Sequence, residues 1–446
     1  MPEDTKVARV ATRFAQLPRD CLATILSYLD TPGVWVALQS QCKQLYEDMH
    51  DRETEWGMDN AVFVLKQETI YRHLSMLFTD KPKHVRNIIV KRLENDKVPP
   101  EFFDELLFVL CWVTGVRKMA IVGSVAGTGK RLAEALSLPT CTVEGLHAAK
   151  CGVDREWTIS VTNALKSNTS VTKLGLGGNH LDNESVILIA EMLEVNEDIY
   201  QLDLYDSHIG YSGAVAIARA LAVNRSFEGL DLSGCGIDSD GATAIAESLV
   251  LNSTLTLLLM CGCNIGDTGA VAFAKMLKVN KTIVGLHLGG CNIEYSGASA
   301  IAESLKSNIT LVAVMMNNCN IGDNGAMAFA EMLKANKALR VLDMGGCNIG
   351  DSGCVAIAES LKTNSTLNTL ELGRNMGGTR TMRAFAESAV INTGMHGSTL
   401  GILDLPSEGR TEQEELEYHE RRELLSVIDV AQRRNLALAS AIRNKR

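Results

Sequence analysis

Between Val171 and Leu372 one short pattern recurs at a fixed interval. Apolar residues separated by a single position stand at Leu174 and Leu176, Leu202 and Leu204, Leu230 and Leu232, and Leu258 and Met260. They continue at Leu286 and Leu288, Val314 and Met316, Leu342 and Met344, and Leu370 and Leu372. From 174 to 202, and so on to 370, the first member of each pair follows the last by 28 residues. A unit of that length cannot bury its own apolar face, so neighbouring units must stack and the chain must build a solenoid. The second half of each unit reads as a helix, from Gly213 to Leu221, Gly269 to Leu277, Gly325 to Leu333 and Gly353 to Leu361. Alanines at helical spacing let such a helix approach the strand layer while Ile, Phe and Leu fill the core. Phe273 and Phe329 alternate with Ile245, Ile301 and Ile357, which points to a copied block of two units.

A fixed period of this length with a core such as Leu174-Gly-Leu176-Gly-Gly-Asn179 marks a leucine-rich repeat. A helix of nearly two and a half turns in each unit resembles the ribonuclease-inhibitor class of these repeats. That class also supplies the recognition end of nucleotide-binding immune receptors and the body of Ran GTPase activators. The resemblance implies an α/β horseshoe with parallel strands on its concave face and helices on its convex face. The frame extends backward to Val143–Cys151 and to Met119–Ile121, and forward to Leu403 and Leu405. About 11 repeats are therefore expected over residues 116–410.

Fixed columns of the repeat absorb several motifs. Cys151, Cys235, Cys263, Cys291, Cys319 and Cys347 share one column with Asn179 and Asn375. An inward side chain there can donate to backbone carbonyls of the neighbouring turn. With no C-x-x-C pair, these are expected to be buried thiols in a reducing compartment. A second column holds asparagine at 168, 196, 224, 252, 280, 308, 336, 364 and 392, expected to end each helix in the left-handed conformation. Triplets such as Asn252-Ser-Thr254 match a glycosylation signal, but Asn196 and Asn336 hold the same column without one. The stretch Gly123 to Lys130 resembles a phosphate-cradling loop, with one residue too many between its glycines and Arg131 where a hydroxyl belongs. Ser352 sits in a Gly-Asp-Ser-Gly tetrapeptide of protease type, yet the same column reads Gly266-Asp-Thr-Gly269. The repeat places no base beside it. No enzyme activity, cofactor or metal site is expected.

Outside the repeats the chain changes character. Leu22, Ile25, Leu26 and Leu29 have helical spacing, Thr31-Pro32-Gly33 breaks it, and Val34, Leu38, Cys42 and Leu45 follow. With Leu17-Pro18, Ile25-Leu26-Ser27-Tyr28-Leu29, Cys42-Lys43 and Trp56, residues 12–57 resemble an F-box. One departure is Leu45, where that family often has tryptophan. The resemblance implies that Leu17, Pro18, Leu22, Ile25, Leu26 and Leu29 dock a Skp-type adaptor and that the solenoid presents a target for ubiquitylation. A helical cap sealing the first repeat is the other reading of this segment. Residues 58–115 are expected to form a helical connecting layer, with apolar stripes at Ala61 to Leu65 and Tyr71 to Leu77. Residues 411–446 are expected to form one long helix.

A net charge of −10 argues against sequence-independent binding to nucleic acid, which needs a cationic surface. No N-terminal apolar core marks a secretory signal, and no run reaches the roughly 18 apolar residues of a membrane span. The chain is therefore expected to be soluble, in cytoplasm or nucleus.

Strand alternation lets the concave face be written down, because residues between the inward leucines must point away from the core. Its candidate partner-binding residues are Asp203, Tyr205, Asp231, Leu257, Leu259, His287, Met315, Val341, Asp343 and Glu371. Apolar Leu257, Leu259, Met315 and Val341 at solvent-facing positions, with acids around them, mark a partner site. The leading expectation is a non-catalytic protein-protein recognition protein, with the F-box resemblance implying the substrate-recognition subunit of an SCF-type ubiquitin ligase. The alternatives are a Ran-type GTPase activator, whose acidic tail is absent here, and a cytoskeletal scaffold.

Overall fold

A computed structural model of the chain describes residues 60–65, 87–92, 103–104, 106–108, 111, 116–391 and 400–401. It divides into two compact units, Met1–His208 and Ile209–Arg446. The F-box-like segment 12–57, with its six adaptor-binding candidates, and the segment 411–446 lie outside the described residues.

In the first unit, strands β1 (Asn60–Leu65), β2 (Asn87–Arg92), β3 (Lys118–Val122), β4 (Gly145–His147), β5 (Lys173–Gly175) and β6 (Gln201–Asp203) pair in parallel in chain order. Helices α1 (Lys130–Leu136), α2 (Arg155–Leu165) and α3 (Asn183–Leu193) connect the later strands. The second unit begins with α4 (Tyr211–Val223), followed by β7 (Gly229–Asp231), α5 (Ser239–Ser248), β8 (Leu257–Leu259), α6 (Gly266–Val279) and β9 (Gly285–His287). It continues through α7 (Tyr295–Leu305), β10 (Ala313–Met315), α8 (Gly322–Ala335), β11 (Val341–Asp343), α9 (Asp351–Leu361), β12 (Thr369–Glu371), α10 (Thr379–Ile391) and β13 (Leu400–Gly401). Each unit is thus a stretch of leucine-rich-repeat α/β solenoid.

Two expectations are corrected. The helical reading of 58–115 fails at Asn60–Leu65 and Asn87–Arg92, which are strands. Short apolar runs carry no clear period, and β-branched and aromatic residues such as those of Val62-Phe63-Val64 and Ile88-Ile89-Val90 favour strands. The described residues Phe103, Asp104, Leu106, Leu107, Phe108 and Cys111 are helical and buried. Among the described residues the last strand is Leu400–Gly401, and its register sets Leu400, rather than Leu403, opposite Leu370.

The core is built in layers that alternate in volume. Phe273 and Met276 are fully buried in one repeat, Ile301 and Ser304 in the next, Phe329 and Met332 in the third. From α6 to α9 a large pair therefore meets a small pair at each helix contact, which suits close packing of the layer. The small partner is polar, and its cost is offset locally: Ser304 Oγ donates to Ile301 O at 2.7 Å and Ser360 Oγ to Ile357 O at 2.6 Å.

The asparagine column does something other than what its sequence suggested. Asn224, Asn280 and Asn336 are extended, with φ near −70° and ψ near 135°. The left-handed residues lie in the turns after the strands, at Asp206, Asn318 and Arg374. Asn168, Asn196, Asn252, Asn280, Asn308, Asn336 and Asn364 are instead buried junctions between repeats. Asn308 Nδ2 donates 2.8 Å to Leu277 O, and its Oδ1 accepts from Thr310 N at 3.0 Å and Leu311 N at 2.8 Å. Asn252 and Asn364 are bonded in the same way, so the triplets matching a glycosylation signal have their amides committed inside.

The cysteine column behaves as read. The thiols of Cys263, Cys291 and Cys347 donate to Leu232 O, Met260 O and Met316 O at 3.3, 3.0 and 3.1 Å. Asn179 and Asn375 make the same bond with an amide and also accept from the backbone of the preceding repeat. Burial pushes the Cys347 thiol up to about 12 and Cys151 to about 11, so both remain protonated donors.

Candidate functional site

The inward leucines leave the alternate strand residues on the sheet face turned away from the helices. In the second unit, parallel register sets these residues in transverse rows. One row runs Asp231, Leu259, His287, Met315, Asp343 and Glu371 from β7 to β12. The row beside it runs Gly229, Leu257, Gly285, Ala313, Val341 and Thr369. Neighbours in a row are about 4.8 Å apart along the sheet. Eight of the ten sequence-predicted residues therefore share one face of one unit. Leu257 is 38% exposed, and Leu259, His287, Met315, Val341, Asp343 and Glu371 are half-buried.

Glycines shape this face. Leu257 lies down across β9, because Gly285 has no side chain to hold it off: a Cβ there would stand 2.7 Å from Leu257 Cδ1. Asn317 covers Gly289 in the same manner. The result is a low apolar surface made by Leu257, Leu259, Met315 and Val341, with His287 in its middle. Burial lowers the His287 pKa, against the opposing pull of Asp231 and Asp343. Acids close both ends. Asp231 Oδ1 accepts from Ser233 N and Asp343 Oδ1 from Gly345 N, each at 2.9 Å, which fixes both carboxylates. Burial and the neighbouring Asp343 raise the Glu371 pKa.

The remaining two predicted residues, Asp203 and Tyr205, belong to the first unit. Asp203 Oδ1 accepts from Tyr205 N at 3.1 Å, and the Tyr205 ring lies over Gly177. Beside them is a set that the sequence reading passed over as a site: Lys118, His147, Lys150 and Lys173. Lys150 Nζ is 5.9 Å from the Tyr205 ring centroid and Lys173 Nζ is 5.3 Å from that of Tyr200. Lys118 and Lys173 open their strands on the outward register.

The two enzyme-like motifs have structural employment. In the phosphate-loop mimic, Gly129 N, Arg131 N and Leu132 N donate to the Asp104 carboxylate at 3.0, 2.8 and 3.2 Å, and Gly127 N donates to Asp154 Oδ2 at 2.8 Å. A carboxylate occupies the place a phosphate would need. In the protease-like tetrapeptide, Gly350 N and Gly353 N both donate 2.8 Å to Asp323 Oδ1 of the preceding repeat, and Ser352 is exposed on the first turn of α9. Among the described residues no group of three or more His, Cys, Asp or Glu is arranged to hold a metal ion. Nor is any helix there long and apolar enough to cross a membrane.

Comparison with known proteins agrees with the repeat frame. The leucine rich repeat family model matches six segments, 167–190, 223–246, 251–274, 279–302, 307–330 and 335–358, so leucine-rich repeats are present. No curated protein matches the chain. Among solved structures, the chain is similar to leiomodin-1 actin-binding site 2, at 21% identity and a TM-score of 0.30, over 40% of this chain and 97% of that one. Leucine-rich repeats point to protein–protein interaction as the general class of function.

Proposed function

We propose that this is a non-catalytic recognition protein that holds a protein partner on the outward face of β7–β12. The observation carrying the reading is the apolar surface of Leu257, Leu259, Met315 and Val341, bounded by Asp231 on one side and by Asp343 and Glu371 on the other. Half-buried apolar side chains with a polar rim are what a partner's anchor residue desolvates on binding. Leu259→Asp with Met315→Asp places two new charges on this surface and leaves the inward leucines untouched. The full-length double variant is expected to lose a partner retained by the unaltered chain. In that complex the amides of β8–β11 are expected to exchange more slowly. Retention of every partner by a folded double variant would sink the proposal.

The F-box-like residues Leu17, Pro18, Leu22, Ile25, Leu26 and Leu29 support a finer version, in which the chain is the substrate-recognition subunit of an SCF-type ubiquitin ligase. The catalytic transfer then takes place elsewhere in the assembly. Its test is co-purification with a Skp-type adaptor, lost on deletion of residues 12–56. Failure of the intact chain to bind any such adaptor would remove this version and leave the recognition face standing.

A further inference from the structure

The chain carries a net charge of −10, yet its cations are not evenly spread. On β7–β12 the outward strand positions hold Asp231, Asp343 and Glu371 and neither Lys nor Arg. On β3–β5 the pattern reverses. Register aligns Lys118 of β3, Gly145 of β4 and Lys173 of β5 in one row, and Ala120, His147 and Gly175 in the next. Lys150 follows in the turn after β4. Among the described residues none of these three lysines is in an ion pair, whereas neighbouring Arg117 is matched by Glu144 at 3.3 Å.

Local geometry spreads these groups rather than stacking them. A Cβ on Gly175 would stand 2.5 Å from His147 Nδ1, and one on Gly178 would stand 2.5 Å from Lys150 Cγ. Both side chains can lie flat only because the next strand and turn carry glycine there. Lys118 and Lys173, flanking Gly145 in one row, lie about 10 Å apart at the backbone, a span of two strand spacings. Lys118, His147 and Lys150 are exposed and Lys173 is half-buried, so their donors are open to a ligand. Partial desolvation of the imidazole where it lies against the sheet, then Lys173 and Lys118, lower the His147 pKa, consistent with these groups sharing one field.

We propose that the outward face of β3–β5 docks an acidic polypeptide segment, with Lys118, Lys150 and Lys173 meeting its carboxylates and His147 supplying a hydrogen bond. The short extent of the cationic zone favours a peptide over a nucleic acid. A polynucleotide carries a phosphate every ~3.4 Å along each strand and runs on past the site. On the β6 side it would meet Asp203 and Asp206. An acidic peptide can end, or turn, where the cations end. This proposal shares no residue with the apolar surface on β7–β12, and either can fail alone.

The test uses the full chain and a short fluorescein-labelled peptide of alternating Glu and Ser, with a Gln-for-Glu peptide as its uncharged counterpart. Anisotropy is expected to show about tenfold tighter binding of the Glu peptide at low salt, largely lost near 300 mM salt. K118E/K173E is expected to weaken it by about tenfold or more, and the charge-matched K278E/K281E on another surface by less than about twofold. Should the reversal variant misfold by circular dichroism, K118Q/K173Q is used, with a smaller loss in the same direction. L259D/M315D is expected to bind the peptide unchanged. Equal binding of Glu and Gln peptides, no saturable binding, equal loss in the control variant, or tighter binding of an oligothymidylate of matched charge would each overturn the proposal.

Discussion

Asn308 reaches back into the preceding repeat, where its Nδ2 donates 2.8 Å to the carbonyl of Leu277, while its Oδ1 accepts from two amides ahead of it. One side chain thus satisfies three backbone groups and is 1% exposed. The thiol of Cys291 bonds Met260 O at 3.0 Å in a neighbouring column, but as a weak donor. Asn308→Ala strands a carbonyl and two amides in the interior and is expected to cost about 3 kcal/mol. Cys291→Ala removes a weak bond and a small volume and is expected to cost about 1 kcal/mol. Chemical unfolding of the two variants side by side checks the ratio. Equal losses would mean the asparagine column adds nothing beyond packing.

Ser207 stands in the cysteine column, where Cys263, Cys291, Cys319 and Cys347 use a thiol, and Asn179 and Asn375 an amide, to reach a carbonyl one repeat back. Its hydroxyl is buried and has no hydrogen-bond partner. The shorter side chain leaves a polar atom desolvated with nothing in return. Ser207→Cys restores the reach used by Cys263 and Cys291 and is expected to stabilise the protein by about 1 kcal/mol. An increase in thermal midpoint checks it. A decrease would show that the turn after β6 is too narrow for sulfur.

What the sequence made legible and what it hid divide along a physical line. Period and alternation depend only on where apolar residues fall, so the strand pairs, the buried columns and the outward positions from Asp231 to Glu371 could be written down in advance. The strands β1 and β2 escaped because the interval there is irregular, 27 residues from Asn60 to Asn87 and 31 from Asn87 to Lys118, and their runs are too short to carry a period. The asparagine column was visible but misread. Its partners are backbone carbonyls 31 residues away, and no residue type marks a carbonyl in a sequence.

At the candidate site the identities were readable and the shape was not. Nothing in Leu257 announces that it folds across Gly285, because that depends on the strand next to it. The cations of β3–β5 were hidden differently. A net charge averages over the whole chain, and −10 conceals a local reversal of sign.

Acidification should weaken the fold through His147 and His287. Burial is the leading cause that lowers both below the ordinary histidine value of about 6.5. The unfolded chain therefore binds more protons than the folded one as pH falls below that value, so stability declines there and is fully present above it. Glu371 works in the opposite sense, since its raised pKa favours proton uptake by the folded form, but that begins closer to the carboxylate range. Thermal midpoints between about pH 7.5 and 5.5 are expected to fall less steeply for H147Q/H287Q than for the unaltered chain. Parallel slopes would show that neither histidine is held neutral by the fold.

Asp104 decides what the loop before α1 can do. Its two oxygens accept from Gly129 N, Arg131 N and Leu132 N, and Asp154 takes Gly127 N, so four amides that might have faced a phosphate already face carboxylates. A phosphate entering here would have to displace a carboxylate that is only 5% exposed and would meet its charge at contact distance. Millimolar ATP or inorganic phosphate is accordingly expected to leave the thermal midpoint of the full chain unmoved. Asp104→Ala removes the cap of α1 together with a buried acceptor for three amides, and is expected to cost about 2 kcal/mol. A stabilising shift with ATP in the unaltered chain would return the loop to the list of nucleotide sites. A harmless Asp104→Ala would show that water satisfies these amides as well as the carboxylate does.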